Sequence, residues 1–531
     1  MLIIKNCFVN YDFDFKNLTP FLAEYLKVNA SDITYTQLHK KSVDARNKRN
    51  VRFCLSFLVE LKGDETEFLK NTTLKNIETF QRKEYKLPPP KSMAHRPVIV
   101  GFGPCGIFAA LLLATAGCKP IVIERGESMD TRIRDVDNFF SSGKLNPHSN
   151  IQFGEGGAGT FSDGKLTTGI NDERINFVLE EFYKCGADES ILYNSKAHIG
   201  TDVLRKVIKN LRNKITAKGG EIRFNTTFCG FETKGEKLTH VLVKSGDKTE
   251  RIKTDTLILA IGHSARDTYR MLKEKGVSMA AKPFSVGARI EHKQSWLDRA
   301  QLGSFAKYKQ FTPSDYKLSC HLKNGRGVYT FCMCPGGFVV NASSEEGRVV
   351  TNGMSNFSRS GENCNSALLV GVTPDDFEGD DALRGMYFQE EIEKRAYEVS
   401  CGYLAPAQTV GDFLEHKPTT KFGNVKPTFL KGVAKGSIDD CLPKFITDSM
   451  REAIGIFDKK IKGFASADAL LTAPETRSSA PVRILRNDNF EASVAGIYPA
   501  GEGAGYAGGI MSSAVDGLKV AEKVIERNGN E

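Results

Sequence analysis

The sequence predicts an α/β fold in three parts: a parallel sheet whose strands are separated in the chain, an α+β unit inserted between them, and a small α/β unit ahead of both. Three observations carry this. From Pro97 a short apolar strand, a glycine turn, an apolar helix and a second strand follow one another, which is a βαβ opening. After about residue 280 the segments GVYTFCMC, FVVNASS and RVVTNGMS, split by Gly-containing turns, read as an antiparallel sheet. Near the C-terminus, GIYPAGEGAGYAGGIMSSAVDGLKVAEKVI runs a strand into a second glycine turn and a terminal helix. The 531 residues suffice for several domains of the usual size. With 40% hydrophobic and 26% charged residues, a disordered, collagen-like or coiled-coil chain is excluded. The 49 glycines are in excess, which points to tight turns or close backbone approach to a ligand.

The first segment, 1–88, reads as a ferredoxin-like α/β unit. LIIKNCFV is strand-like, FKNLTPFLAEYLKV helical and VRFCLSFLVEL strand-like, and a polar helical stretch lies around ETEFLKNTTLKN. KLPPPKSMAHRP at 86–97 is a linker, because consecutive prolines favour an extended spacer. Residues 1–98 carry 17 Lys/Arg against 11 Asp/Glu, so most of the chain's net +9 lies here. The run Lys40, Lys41, Arg46, Lys48, Arg49, Arg52 contains one acid, Asp44. It reads as a solvated loop between strands, or as a contact for RNA or another polyanion; the lack of aromatic residues weakens single-strand stacking.

The strand PVIVG then enters Gly101-Phe102-Gly103-Pro104-Cys105-Gly106, a helix-forming stretch and a second strand ending at Glu124. Gly101 permits the tight turn, Gly103 lets a pyrophosphate approach the backbone, and Gly106 lets helix and strand pack closely. The helix start, with Pro104 and Cys105, offers free N–H groups and a positive dipole end to phosphates. Glu124 is placed for ribose hydroxyls and repels a 2′-phosphate, which favours FAD or NAD over NADP; the adjacent Arg125 softens that argument. The next glycine cluster, GEGGAGTFSDGKL, supplies Gly157, Gly159, Thr160, Ser162, Gly164 and Lys165 as backbone and side chains against a cofactor, or else as a surface turn.

TLILAIG, ending in Ala260 and Gly262, and the C-terminal Gly501-Glu502-Gly503 turn with Gly508, Gly509 and Ile510 resemble the two-part FAD fold of glutathione reductase-like flavoproteins. That resemblance implies a discontinuous Rossmann-like FAD-binding domain at 89–285 and 480–531, and an inserted α+β substrate domain at 286–479. It also implies an acid at Glu502 near the ribityl chain and pyrophosphate, and a helix N-terminus at Gly508–Ile510 toward the flavin pyrimidine, with Glu standing for the more usual Asp. Together GFGPCG, GEGGAGTFSDGKL, CMCPGG, PETRSSAPVRI and GEGAGYAGGI resemble the bacterial FAD-dependent, or NAD(FAD)-utilising, dehydrogenases over nearly the whole chain. The resemblance names no substrate.

Cys332 and Cys334, two apart on a strand, share a face there. They read as a redox pair, as one thiolate (Cys334) near the flavin, or as two small buried side chains. Arg477 and Arg483, flanking SSAP, suit a carboxylate-bearing substrate or interdomain salt bridges. His263 is an acid–base candidate or a packed loop histidine. The twelve scattered cysteines fit neither a disulfide framework nor a four-Cys metal site, so no metal is expected. No signal or membrane-length segment is seen, and a reduced, cytoplasmic protein is expected. The sequence thus predicts an FAD-dependent oxidoreductase acting on a small molecule rather than nucleic acid or membrane, with NADH or NADPH as a transient electron donor. A flavoprotein acting on or binding RNA through its N-terminal unit is the alternative.

Overall fold

The computed structural model describes residues 1–82, 84–311 and 313–527. Positions 83, 312 and 528–531, which fall within the predicted segments 1–88, 286–479 and 480–531, lie outside the described residues.

The N-terminal unit runs β1 (Leu2–Val9), α1 (Leu18–Leu26), β2 (Ile33–Asp44), β3 (Arg52–Leu61), α2 (Glu65–Asn71) and β4 (Ile77–Thr79). Its sheet has the order β2-β3-β1-β4 with every pair antiparallel, the split βαβ arrangement. Leu22, Leu26, Phe53 and Phe57 fill its core, which also takes in Leu302 and Phe311 from further along the chain, while Tyr11 stacks on Tyr308 at 4.2 Å. The reading of residues 40–52 as a loop is corrected: 40–44 belong to β2 and Arg52 to β3, so the turn is only 45–51. β2 is an edge strand without a wholly apolar face, which is why its period was not visible.

Further along come β5 (Val98–Val100), α3 (Pro104–Thr115), β6 (Ile121–Ile123), β7 (Glu221–Arg223), β8 (Leu257–Leu259), β9 (Phe284–Lys293), β10 (Gly327–Cys334), β11 (Asn363–Val372), β12 (Leu470–Glu475), β13 (Ile497–Pro499) and α4 (Ile510–Arg527). β13-β8-β5-β6-β7 form one parallel sheet, with the C-terminal strand beside β8. Its three central strands, β8, β5 and β6, are buried at every residue, as a parallel sheet covered on both faces requires. α3 is buried from Cys105 to Ala114 and has no polar face, because it lies among the sheet, α4 and the helix Thr201–Ala217. α3 and α4 meet backbone to backbone: a Cβ on Gly517 would lie 2.2 Å from the Cys105 carbonyl oxygen.

The inserted unit carries a seven-stranded sheet in the order Ser319–His321, β10, β11, β9, β12, Ala405–Thr409, Val433–Lys435. FVVN and TNGM instead make a separate antiparallel pair, 338–341 with 351–354. Ile446, Met450, Ile454 and Phe457, spaced as one face of an amphipathic helix, lie on the helix Lys444–Lys460 and are buried on the sheet. Among the described residues no helix is long and apolar enough to cross a membrane.

Gly517→Ala is expected to destabilise the fold by about 1–3 kcal/mol through overpacking. Gly455→Ala, in the exposed interior of that helix with nothing within 4 Å of its Cβ, is expected to stabilise it by up to about 1 kcal/mol. Thermal and denaturant midpoints of the two variants check the opposite signs.

Candidate active site

Glycine-rich segments converge at the C-terminal ends of β5, β8 and β13, the edge at which open parallel sheets bind ligands. Gly101 has φ +101°, and a Cβ on it would lie 2.2 Å from the Ala260 carbonyl oxygen; one on Gly106 would lie 2.0 Å from the Gly101 oxygen. Both are glycine because backbone meets backbone. Gly103 caps α3, with Pro104 at its first turn, and the second segment crosses there, since a Cβ on Gly157 would be 2.8 Å from the Gly103 Cα. Gly159 faces Ile510, the first residue of α4, and Gly503 lies against Gly262. By contrast Gly262, Gly508 and Gly509 are exposed, with nothing within 4 Å of a Cβ. They leave open backbone along the cleft.

Glu124 departs from its expected role. Its buried carboxylate accepts the N–H groups of Phe102 (2.8 Å), Gly126 (2.9 Å) and Gly154 (2.9 Å), so it knots the first two glycine segments together and keeps little acceptor capacity for a ribose. Arg125 is committed too: it donates to Asp267 (2.9 Å) and Thr268 (3.1 Å) and lies over the Phe153 ring. Cys105 turns inward against Gly501. The Thr160 carbonyl accepts from Thr201, the Ser162 hydroxyl receives the Gly164 N–H, and Gly164 packs on Gly200, so these residues shape the segment from within.

Arg132 went unnoticed in the sequence. Fully buried, it donates to the carbonyls of Asn150 (2.9 Å), Ile151 (2.9 Å), Gly154 (3.2 Å) and Glu155 (2.6 Å), and burial lowers its pKa to about 9. Asp516 was also missed; it receives the Gly501 N–H at 2.7 Å and pairs with Arg486, which sits 3.8 Å from the Tyr506 ring centre. The closing turn 501–506 is thereby fixed. Burial raises the Glu502 carboxyl to about 7, with the Gly509 N–H and the Lys282 charge pulling the other way.

The thiols do not share a strand face. Between Phe331 and Cys334 the β10–β11 register slips by one residue, a bulge at which Cys332 adopts φ +44°. Cys334 is fully buried, so the expectation that it presents a thiol to the flavin is corrected; Cys332 is the part-exposed member. The fully buried Arg289 holds the Cys332 carbonyl with both terminal nitrogens (3.2 and 3.0 Å) and ion-pairs with Glu475 at 3.3 Å. A hydrogen bond with Cys334, joined by the Arg289 and Lys165 charges, outweighs burial and lowers the Cys332 thiol; the same bond and burial push Cys334 up.

Asp163 ties this pole to the glycine segments. It accepts from Arg359 Nε (3.0 Å) and Nη2 (2.5 Å), from Lys165 Nζ (2.9 Å) and from Ser355, and Lys165 also donates to the Met333 carbonyl. Burial alone would raise the Asp163 carboxyl, but the Lys165 and Arg359 charges hold it far below the usual range.

Arg477 and His263 are corrected as well. Arg477 is buried against Glu393, Glu345 and Ser344 and shares Glu393 with Arg266, so four of its five donors are taken within the protein. Burial and the Arg477 and Arg266 charges lower His263 to about 3, which removes neutral-pH proton exchange. Arg483 remains exposed, touching the Gly505 carbonyl at 3.3 Å and lying over Tyr506. Among the described residues no group of three or more His, Cys, Asp or Glu could hold a metal ion.

A family model described as "FAD-dependent protein, C-terminal domain-like" matches residues 283–478, and a domain of unknown function matches 3–60. A Clostridium beijerinckii protein described as uncharacterized is 47% identical over 529 residues, 99% of this chain and 98% of that one. The chain belongs to the same family as that protein, and its residues 283–478 to the FAD-dependent C-terminal domain-like family. Solved structures that resemble this family member include a geranylgeranyl bacteriochlorophyll reductase-like protein of Thermoplasma acidophilum (12% identity, TM-score 0.38, 83% of this chain and 80% of that one). Another is E. coli quinol fumarate reductase FrdA (12%, TM-score 0.37, 83% and 71%). Likeness this loose carries no part of the assignment. FAD is the cofactor. The residues present fit it: Gly103, Gly157 and Gly159 around the helix start for the diphosphate, and open backbone at Gly262, Gly508 and Gly509 beside Glu502 for the rest.

Asp163→Asn leaves the buried Arg359 and the half-buried Lys165 short of a partner and is expected to cost about 3–5 kcal/mol. Because the Asp163 carboxyl is held low in the fold, its contribution is complete above about pH 4 and fades as pH falls below that. Denaturation of wild type and variant at neutral and acid pH checks this: the gap should narrow on acidification.

Proposed function

We propose that this protein is an FAD-dependent oxidoreductase, a dehydrogenase in the broad sense, that passes a hydride between its flavin and an anionic small molecule. The observation that carries the reading is the convergence of the glycine segments on one sheet edge, opposite a pole of thiol and cationic side chains. When bound, FAD supplies two-electron transfer. The chain supplies the setting. Lys282 lies near Glu502 and Arg483 and makes only long contacts, 3.4 and 3.5 Å, to carbonyls of Pro283 and Ala480, so its ammonium is available to an anion. Glu502, raised to about 7, can take or release a proton near neutrality, the range in which general acid–base groups work best. All twelve cysteines are free, in keeping with a reducing, cytoplasmic setting.

The RNA alternative gains nothing from the N-terminal unit. Lys41 lies over the Phe15 and Phe53 rings, Arg46 makes two bonds to Asp44, and Arg52 stacks on Phe8, so half of the cations in the run are already partnered. NADH or NADPH remains the proposed donor, approaching transiently from the cleft.

The purified protein is expected to be yellow, with about one FAD per chain, and to lose its flavin absorbance in anaerobic stopped-flow mixing with NADH or NADPH. A colourless protein that takes up no FAD sinks the reading. Loss of colour with neither nucleotide, but with another reductant, replaces only the donor.

A further inference from the structure

We propose that Cys332 and Cys334 form a dithiol–disulfide couple that exchanges two electrons with the bound FAD and presents Cys332, the outer thiol, to a disulfide-bearing substrate. This rests on the FAD-dependent oxidoreductase reading and names a substrate class for the same site.

The geometry at the end of β10 is the starting point. A regular strand would put both side chains on one face, equally buried; the bulge and the left-handed Cys332 backbone separate them into one part-exposed and one buried thiol. Left-handed backbone at a residue other than glycine is uncommon and persists only where its surroundings impose it. Here Arg289 imposes it by gripping the Cys332 carbonyl, and Gly353 is glycine because a Cβ there would fall on the Arg289 guanidinium. The fold thus commits a fully buried, ion-paired arginine to holding this turn. The Cys334 thiol also donates to the Cys332 carbonyl, at 3.3 Å, so the two residues are in contact. Two positions apart, their Cα atoms are at most about 7 Å from each other, at the outer edge of disulfide reach. Lys165, which donates to the carbonyl of the intervening Met333, comes from the same glycine segment that crosses Gly103. Cys332 also lies close enough to the Glu502 carboxyl to act on it, which puts the outer thiol beside the C-terminal glycine turn rather than at a remote surface. Arg289, whose Nη2 reaches the Cys334 sulfur at 3.7 Å, and Lys165 put positive charge beside the pair, which favours one thiolate; exposure makes Cys332 the attacking sulfur, and Cys334, which donates to the Cys332 carbonyl, the resolving one.

The chemistry balances. The Cys332 thiolate attacks a substrate disulfide and releases one substrate thiolate; Cys334 attacks the mixed disulfide, releases the second and gives up its proton. The Cys332–Cys334 disulfide so formed is reduced back by two electrons from reduced FAD, with one proton restored to Cys334. NADH or NADPH supplies the electrons that return the FAD to its reduced form.

The test is an anaerobic dithionite titration of the air-oxidised holoprotein, with mass analysis of the peptide that contains both cysteines. Wild type should take up about four electrons per FAD, and Cys332→Ser and Cys334→Ser about two. The wild-type peptide should be lighter by two hydrogens before reduction than after it. Two electrons per FAD in wild type, or four persisting in both variants, overturns the couple while leaving the flavoprotein reading intact. Absence of bound FAD overturns that reading instead. Should the variants fail to fold, the wild-type peptide mass decides: both thiols free after full air oxidation contradicts the proposal.

Discussion

The Asp163 ion pair joins the glycine-lined half of this protein to its inserted sheet, and it ties the Cys332 bulge to the second glycine segment. A buried carboxylate costs several kcal/mol unless its partners are well placed. Asp163 meets that demand with two cations, Arg359 from the inserted unit and Lys165 from its own segment, and with the Ser355 hydroxyl. Lys165 carries the linkage on to the Met333 carbonyl, in the middle of the bulge. One short chain of charge-assisted bonds thus runs from the dinucleotide cradle to the bulge at Cys332, beside an apolar contact in which Ile151 and Phe161 pack with Val340 and Met354.

Polar groups with no room for alternatives repeat this device elsewhere. Glu124 gathers three N–H groups, Arg132 gathers four carbonyls, and Asp516 holds the Gly501 N–H while paired to Arg486. Each closes a glycine segment whose own conformational freedom would otherwise leave it mobile. Glu393 is a buried carboxylate of the same kind, held by Arg266 and Arg477. The glycine excess thus has two causes. Gly101, Gly106, Gly503 and Gly517 are small because protein backbone passes against them, whereas Gly262, Gly508 and Gly509 are bare toward the cleft.

What could be read in advance was what is local. The turn at 101–106 and the strand–helix–strand opening around it are written in neighbouring residues, and both match the structure. The bulge at Cys332 is not, since it depends on Arg289, 43 positions away, and strand alternation alone predicts the opposite arrangement of the thiols. Asp163 sits within a segment that drew attention for its glycines, yet its partners Ser355 and Arg359 lie 192 and 196 residues along the chain. Arg477 and His263 have the right side chains for catalysis and the wrong surroundings, a buried carboxylate for one and two guanidinium charges for the other. β2 escaped because a strand at a sheet edge need not alternate.

A crystal structure of the FAD-loaded protein tests the central claim most directly. The diphosphate should lie over the Gly103–Gly157 crossing and the isoalloxazine ring between the Gly508–Gly509 turn and Cys332, with the Cys332 sulfur in van der Waals contact with the ring system. An FAD bound away from this cleft, or a flavin ring whose redox edge faces away from Cys332, would contradict the account.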